Sequence, residues 1–319
     1  MNDSDQTQNQ SPLDVGQAMA RAMQKNHLNE RYAAMQKAVF ADDDVQKFLK
    51  DHQDELTQTI IDRDFASLYE FYTQKHKDDS ESVHKGYVPS LMFNEGQINV
   101  MYQPSQATVR AQQQREQQAL VHAVQMPKLI ERAQLSDFSN PSPDQSNAIG
   151  AVADFITSYT EDPNTYHRGL YIHGPYGVGK THLMGAMANT LARYSIPVTL
   201  VHFPSFAIEL RNGISDKNNQ NQKRLEALQR AQILVLDDIG AESLTAWLRD
   251  DILSPILEYR MQNELTTFFT SNFSMDQLEK EHFTNTKDGS EPIKAERLMQ
   301  RIKFLAKEIA MFGENKRVH

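Results

Sequence analysis

Two hydrophobic rhythms divide the chain. Up to about residue 125, apolar positions recur every three or four residues, the period of a helix with one buried face. Val15, Ala18, Met19, Ala22 and Met23 mark a first helix beginning at Asp14. A second is expected over Glu30 to Phe40, a third over Asp43 to Lys50, and a fourth near Asp64 to Lys75, with Phe65, Leu68, Tyr69 and Tyr72 on one side. Leu91-Met92-Phe93 and Ile98-Asn99-Val100-Met101 then flank Asn94-Glu95-Gly96, which offers the turn chemistry of a hairpin. Residues 105–125 read as a Gln-rich helix, and residues 1–12 are polar without period and are expected to be disordered.

Ser136-Asp137-Phe138-Ser139-Asn140-Pro141-Ser142-Pro143 breaks this rhythm. A linker is therefore expected at 136–147, between a mostly helical domain over 1–135 and a second domain over 148–319. In the second domain short apolar runs alternate with helix-length stretches. Strands are expected at Gly169–His173, Val198–His202, Ile233–Leu236, Thr266–Thr270 and Glu308–Phe312. That alternation predicts an α/β domain with a parallel sheet and helices on both faces. No internal repeat is visible.

Residues 174–181 read Gly174-Pro175-Tyr176-Gly177-Val178-Gly179-Lys180-Thr181, the pattern G-x-x-x-x-G-K-T. They follow the strand Leu170-Tyr171-Ile172-His173 and open a helix expected over Thr181 to Arg193, which is the context the pattern requires. Glycines let backbone N–H groups turn inward with no Cβ in the way. The helix start adds unpaired donors of its own. The candidate binding residues are Gly174, Tyr176, Gly177, Val178, Gly179, Lys180, Thr181 and His182. Lys180 can reach the β- and γ-phosphates of a nucleotide, and the Thr181 hydroxyl can ligate Mg2+.

Ile233-Leu234-Val235-Leu236 ends in Asp237-Asp238, 57 residues past Lys180. After a phosphate loop such a strand brings one carboxylate, Asp237, to the metal. Asp238 is placed to orient or deprotonate a water. Another expected strand ends in Thr270-Ser271-Asn272, and Asn272 can hydrogen-bond the γ-phosphate or the water. Arg297 and Arg301 stand four residues apart on one helical face. Either an arginine finger for a neighbouring subunit or a solvated basic face fits that spacing.

Composition narrows the field. The 319 residues suggest about two domains. Lys plus Arg number 33 against 42 Asp plus Glu, a net charge of −9. That excludes a histone-like nucleic-acid coat but leaves room for a local basic groove. The absence of Cys excludes disulfides, Cys-ligated zinc and thiol catalysis. MNDSDQTQNQSPLD has neither the basic region nor the apolar core of a signal peptide, and no apolar run approaches the ~20 residues of a membrane span. A soluble, cytoplasmic protein without a membrane partner is expected.

The run Leu234-Val235-Leu236-Asp237-Asp238-Ile239-Gly240-Ala241-Glu242, with Thr267-Phe268-Phe269-Thr270-Ser271-Asn272-Phe273 and Lys294-Ala295-Glu296-Arg297-Leu298-Met299-Gln300-Arg301-Ile302, resembles the DnaI/DnaC family of helicase loaders. The likeness covers most of 150–319 and, more faintly, the N-terminal domain. It implies an AAA+ P-loop NTPase core with a five-stranded parallel sheet in the order 5-1-4-3-2 and no helical lid. It also implies an ATPase using ATP and Mg2+. Gly174, Gly179, Lys180 and Thr181 match Walker A, Asp237 and Asp238 match Walker B, and Asn272 matches sensor 1. Arg301 best matches the arginine finger, with Arg297 second. The implied partners are the replicative DNA helicase hexamer through the N-terminal domain, single-stranded DNA, and further copies of the ATPase domain. The implied task is delivery of helicase onto single-stranded DNA in the initiation or restart of replication.

Two departures stand out. Members of the family carry a Cys/His zinc site in the N-terminal domain, but this chain has no Cys and the region of His76 and His84 offers no four-ligand set. No zinc is expected, and the hairpin should be held by packing through Tyr87, Leu91, Phe93 and Met101. Most AAA+ proteins have Glu where Asp238 stands, and the shorter Asp fits slow hydrolysis. For DNA, the candidates are Phe203–Arg211 and the polar loop 212–224 with Lys217, Lys223 and Arg224, although Phe203 and Phe206 read better as core at a helix start. The alternatives are an IstB-like transposition-helper ATPase, a small-molecule kinase and a nucleotide-binding scaffold with negligible turnover.

Overall fold

The computed structural model describes residues 28–78, 84–212, 220–241, 245–286 and 289–315. The helix expected from Asp14 lies outside these residues, as do Lys217 and Glu242. The chain divides into two compact units between Gln112 and Gln113, earlier than the linker expected at 136–147.

The first unit contains α1 (Leu28–Phe40), α2 (Asp43–Asp51), α3 (Gln58–Arg63), α4 (Phe65–Lys75), β1 (Tyr87–Asn94) and β2 (Gln97–Pro104). The six residues of α3 are too few to display a readable period, so the sequence expectations omit it. Val39, Val45, Phe48, Phe65, Leu68, Phe71 and Ile98 form the core. Glu95 and Gly96 both take positive φ, 53° and 74°, which gives the tight turn that suits the twist of paired strands. Leu91, Phe93 and Val100 pack on the core and Ile98 enters it. Tyr87 and Met101, expected to do that work, are instead 47% and 39% exposed. Polar bonds add to the packing: Ile98 N–H donates to Asp64 at 2.9 Å, Arg63 to the Gly96 carbonyl at 2.6 Å, and Tyr102 Oη to Glu70 at 2.8 Å.

The helix α5 (Gln106–Ala119) crosses the division and buries no residue. It ends before the expected residue 125, because Val121–Val124 form a strand, β3, instead. The second unit continues with α6 (Pro143–Glu161), β4 (Gly169–His173), α7 (Lys180–Arg193), β5 (Val198–His202), α8 (Phe203–Asn212), α9 (Gln220–Arg230) and β6 (Ile233–Ile239). A π-helical turn at Leu248–Leu253 leads into α10 (Ser254–Gln262), then β7 (Thr267–Ser271). A short ribbon of β8 (Asn285–Thr286) and β9 (Gly289–Ser290) precedes α11 (Pro292–Leu305) and β10 (Ala306–Ala310).

The parallel sheet runs β10-β4-β7-β6-β5-β3. The five expected strands stand in the order 5-1-4-3-2, with the last one two residues earlier than expected. The sheet has six strands rather than five, because β3 adds to the edge beside β5. Four residues, half-buried at the ends and exposed in the middle, give β3 no alternation to read. Beyond β3, Ile130 and Ala133 lie against Gly185 of α7, so residues 121–133 belong to this unit. The first four residues of β4, and all five residues of β7, are buried, as strands covered on both faces must be. One face carries Phe155, Leu183, Met187 and Phe268, and the other Phe203, Phe206, Leu253, Phe269 and Ile302. Among the described residues no helix follows β10, and none is long and apolar enough to cross a membrane.

Candidate functional site

The carboxyl ends of β4, β6 and β7 meet at the start of α7, the place where open parallel sheets hold ligands. From β4 the chain turns through Gly174, Gly177 and Gly179 at φ of 155°, 81° and 100°. The last two are left-handed values that favour glycine. Gly179 is also the N-cap of α7 and makes no side-chain cap bond. The N-cap therefore supplies no side-chain acceptor to the start of α7, and a helix start of this kind favours an anion.

Lys180, only 7% exposed, donates to the carbonyls of Gly174 and Pro175 at 2.8 and 2.9 Å and to Asn272 Oδ1 at 2.9 Å. Asn272 Nδ2 donates in turn to Asp238 Oδ1 at 2.9 Å. Thr181 Oγ1 donates to Asp237 at 2.9 Å, and Thr270 Oγ1 donates to the same carboxylate at 2.6 Å while accepting the Asp238 N–H at 2.8 Å. Burial pushes the Asp237 carboxyl up, against the two hydroxyls that favour its charge; Asp238 nearby adds to the rise. A buried carboxylate with only neutral donors is costly and gains from a cation. Asp238 takes φ of 61°, a left-handed turn that aims its carboxylate at Asn272 rather than along the strand.

Of the remaining sequence candidates, Tyr176 stands 61% exposed at the loop tip. Val178 is buried, so it offers the loop its backbone and gives its side chain to the core. His182 lies on the flank of the helix start, 2.8 Å from Asp137 and against the edge of Phe138. Arg301 is turned into its own unit, donating to Ser254 and to Glu258 at 3.0 Å. Arg297, one turn earlier, is exposed and has no hydrogen-bond or ion-pair partner among the described residues. Phe203 and Phe206 are core residues and cannot stack on bases. Lys223 and Arg224 are exposed on α9, and Arg224 pairs with Glu209 at 2.7 Å.

Three contributors escaped the sequence reading. Thr270 shares a strand face with Asn272, two residues on, and that alternation is the signal that points to it. His202 is the register partner of Asp237, with Nδ1 2.8 Å from Ser205 Oγ and Nε2 4.0 Å from Asp238. Gln145, 3% exposed, donates to the Val178 carbonyl at 3.0 Å, a long-range bond without a local signature.

Comparison with known proteins bears on both halves of the chain. Residues 13–102 match the family model of the primosomal protein DnaI N-terminus, and 105–318 match that of the IstB-like ATP binding protein. The replicative helicase loader DnaI of Bacillus subtilis strain 168 is 35% identical over 313 residues, covering 95% of this chain and 98% of that one. A crystal structure of DnaI superposes with a TM-score of 0.54 at 40% identity, over 63% of this chain and all of the other. A primosome component from Streptococcus pyogenes serotype M3, described as putative, gives 0.53 at 35%, over 63% and 98%. Matched in both halves and along nearly the full length of a loader, the chain belongs to the DnaI family of replicative helicase loaders, with an ATP-binding AAA+ domain.

Proposed function

We propose that the protein is an ATP-hydrolysing loader that delivers the replicative helicase hexamer onto single-stranded DNA. The observation that carries the reading is the unbroken chain Lys180–Asn272–Asp238, set beside the pair Thr181–Asp237 at one end of one sheet. Such a chain joins a phosphate-binding cation to a water-activating carboxylate, as phosphoryl transfer to water requires.

Each residue then has a task. The loop amides and Lys180 hold the β- and γ-phosphates. Asn272 senses the γ-phosphate, because its two bonds link the groups at either side of it. Asp238 orients the attacking water and takes its proton. The site also fits Mg2+. Asp237 is buried with hydroxyl donors on its carboxylate, and among the described residues no three His or carboxylate side chains converge to hold a metal alone. Thr181 and Asp237 would hold the ion, with phosphate oxygens and water completing its shell. Bound there, Mg2+ would supply charge neutralisation on the phosphates. A trans-acting arginine would come from α11 of a second copy, and Arg297 is the one with a guanidinium free to reach it.

The N-terminal unit is the helicase-docking part, and that distinguishes a loader from an IstB-like transposition helper. The test is co-purification of the full chain with the replicative helicase, with and without ATP. A complex is expected, and its absence under both conditions sinks the loader reading. In parallel, Lys180→Ala is expected to lose ATP binding. Asp238→Asn should bind ATP and fail to hydrolyse it, and wild-type turnover in both variants would overturn the site.

A further inference from the structure

The phosphate loop is backed by the chain's own carboxy-terminal segment. After β10, Met311 N–H donates to the His173 carbonyl at 2.7 Å, so the segment continues beside the strand that enters the loop. From there residues 311–315 follow the loop's outer side. A side chain at Gly174 would collide with the Met311 carbonyl, and one at Gly177 with the Asn315 carboxamide. One at Gly179 would meet the Phe138 ring at 3.0 Å and the Met311 methyl at 3.8 Å.

The segment and the loop share one clamp, the start of α6. Ser142 Oγ accepts the Gln145 N–H and donates to the Phe312 carbonyl. Gln145 returns a bond to the Ser142 N–H through Oε1 at 2.9 Å, and its Nε2 donates to the Val178 carbonyl of the loop. The same amide lies 2.7 Å from where a Gly313 Cβ would stand. A helix cap, the loop and the strap are thus fixed to one buried carboxamide.

Resting on the nucleotide reading above, we propose that this strap is a working wall of the nucleotide site, and that Asn315 and Gln145 are positioning residues for the phosphates. The loop must keep several amides pointed inward at a cost in backbone freedom. A wall that fixes Gly177 from outside lowers what binding has to spend on ordering. Asn315 is exposed and belongs to neither apolar cluster, so its carboxamide can be altered without removing core packing.

The experiment compares the full chain with Asn315→Ala and with a chain ending at Phe312. It reads equilibrium binding of a fluorescent ATP analogue with Mg2+, steady-state KM and kcat, and melting without nucleotide. Asn315→Ala is expected to weaken binding about three- to tenfold, the size of one lost polar wall contact, and the truncation at least as much. The loss should fall on KM rather than kcat, with nucleotide-free melting within about 1 °C of wild type. A second arm crosses Gly177→Ala with Asn315→Gly. The double variant should bind better than the two single losses predict, because the clash is gone while the left-handed strain remains. Wild-type affinity in both strap variants, an affinity loss matched by a fall in melting temperature, or strict additivity in the cross would each overturn the proposal. If the wild-type chain bound no analogue, the nucleotide reading itself would fall. If it bound, Lys180→Ala did not, and the strap variants equalled wild type, this inference alone would fall.

Discussion

Arg297 and Arg301 are alike in sequence spacing and different in surroundings. Arg301 ties α11 to α10 through Ser254 and Glu258, at 19% exposure. Arg301→Ala should therefore lower the melting temperature, by a loss of about 1 kcal/mol for a partly exposed charged staple. Arg297→Ala should leave melting unchanged, since no partner among the described residues is lost, and should lower ATP turnover. Thermal melts and turnover on the two variants check both statements, and the opposite pattern would return the finger to Arg301. Sequence alone could not separate them, because i and i+4 spacing says which face two residues share and nothing of what faces them. Gly174–Thr181 and Asp237-Asp238 were legible, since a phosphate loop and an acidic strand end are set by local backbone needs. Gln145 was not, because its partner Val178 is 33 residues away and the bond leaves no local pattern.

At the scale of elements, charged groups hold what short apolar faces cannot. In the N-terminal unit Asp42 caps α2 through the N–H groups of Asp44 and Val45 and receives Lys75 and His76 from the end of α4. Burial works to raise its pKa, but Lys75, His76 and the two amides outweigh burial and hold it at about 2. Asp64, with Arg63 and the Ile98 amide, is held at about 2 as well. A depressed carboxylate adds stability that is complete above its unfolded pKa near 4 and lost as pH falls through its folded value. The N-terminal unit should therefore weaken between about pH 4 and pH 2, with Asp42 accounting for roughly 1–2 kcal/mol after solvent screening. Acid titration of Asp42→Asn followed by circular dichroism should show a shallower loss than wild type; an identical loss would remove Asp42 from the account. In the second unit, the fully buried Arg260 donates to the carbonyls of Leu228, Gln229 and Ala231 at the end of α9, and to Thr266 and Thr267. Burial lowers its pKa to about 9, which leaves it charged at neutral pH. Arg260→Met should cost about 3 kcal/mol or more in denaturant melts, because several buried carbonyls lose their donor together. A midpoint unchanged from wild type would contradict it. Long periodic helices and fully apolar strands were readable from sequence because burial of a whole face imposes their period. The short α3 and edge β3 were not, because their patterns are too brief to exceed chance.

For the whole molecule, on the reading proposed above, one copy supplies the phosphate loop, the Thr181–Asp237 pair and the Asn272–Asp238 pair, and the positive charge for the far side of the γ-phosphate comes from elsewhere. The cavity beside Arg297 is lined by Trp247, Asp250, Ser254, Lys294 and Arg301, and it shares no residue with the phosphate loop or the strand ends around it. A group lining a cavity that shares no residue with the site is placed to serve another copy or none. If it serves another, turnover per chain should rise with protein concentration, because the active unit is a contact between two copies. Mixing then separates the roles. Arg297→Ala keeps its own phosphate loop and lacks the finger; Lys180→Ala lacks nucleotide binding and keeps the finger. Each alone should turn over ATP well below wild type, yet their mixture should exceed both, because some contacts pair an intact loop with an intact Arg297. The activity should peak at an intermediate ratio of the two variants, where such contacts are commonest. A mixture no more active than its components, together with turnover per chain that is flat across concentration, would mean that each copy hydrolyses alone and that Arg297 is only a solvated charge on α11.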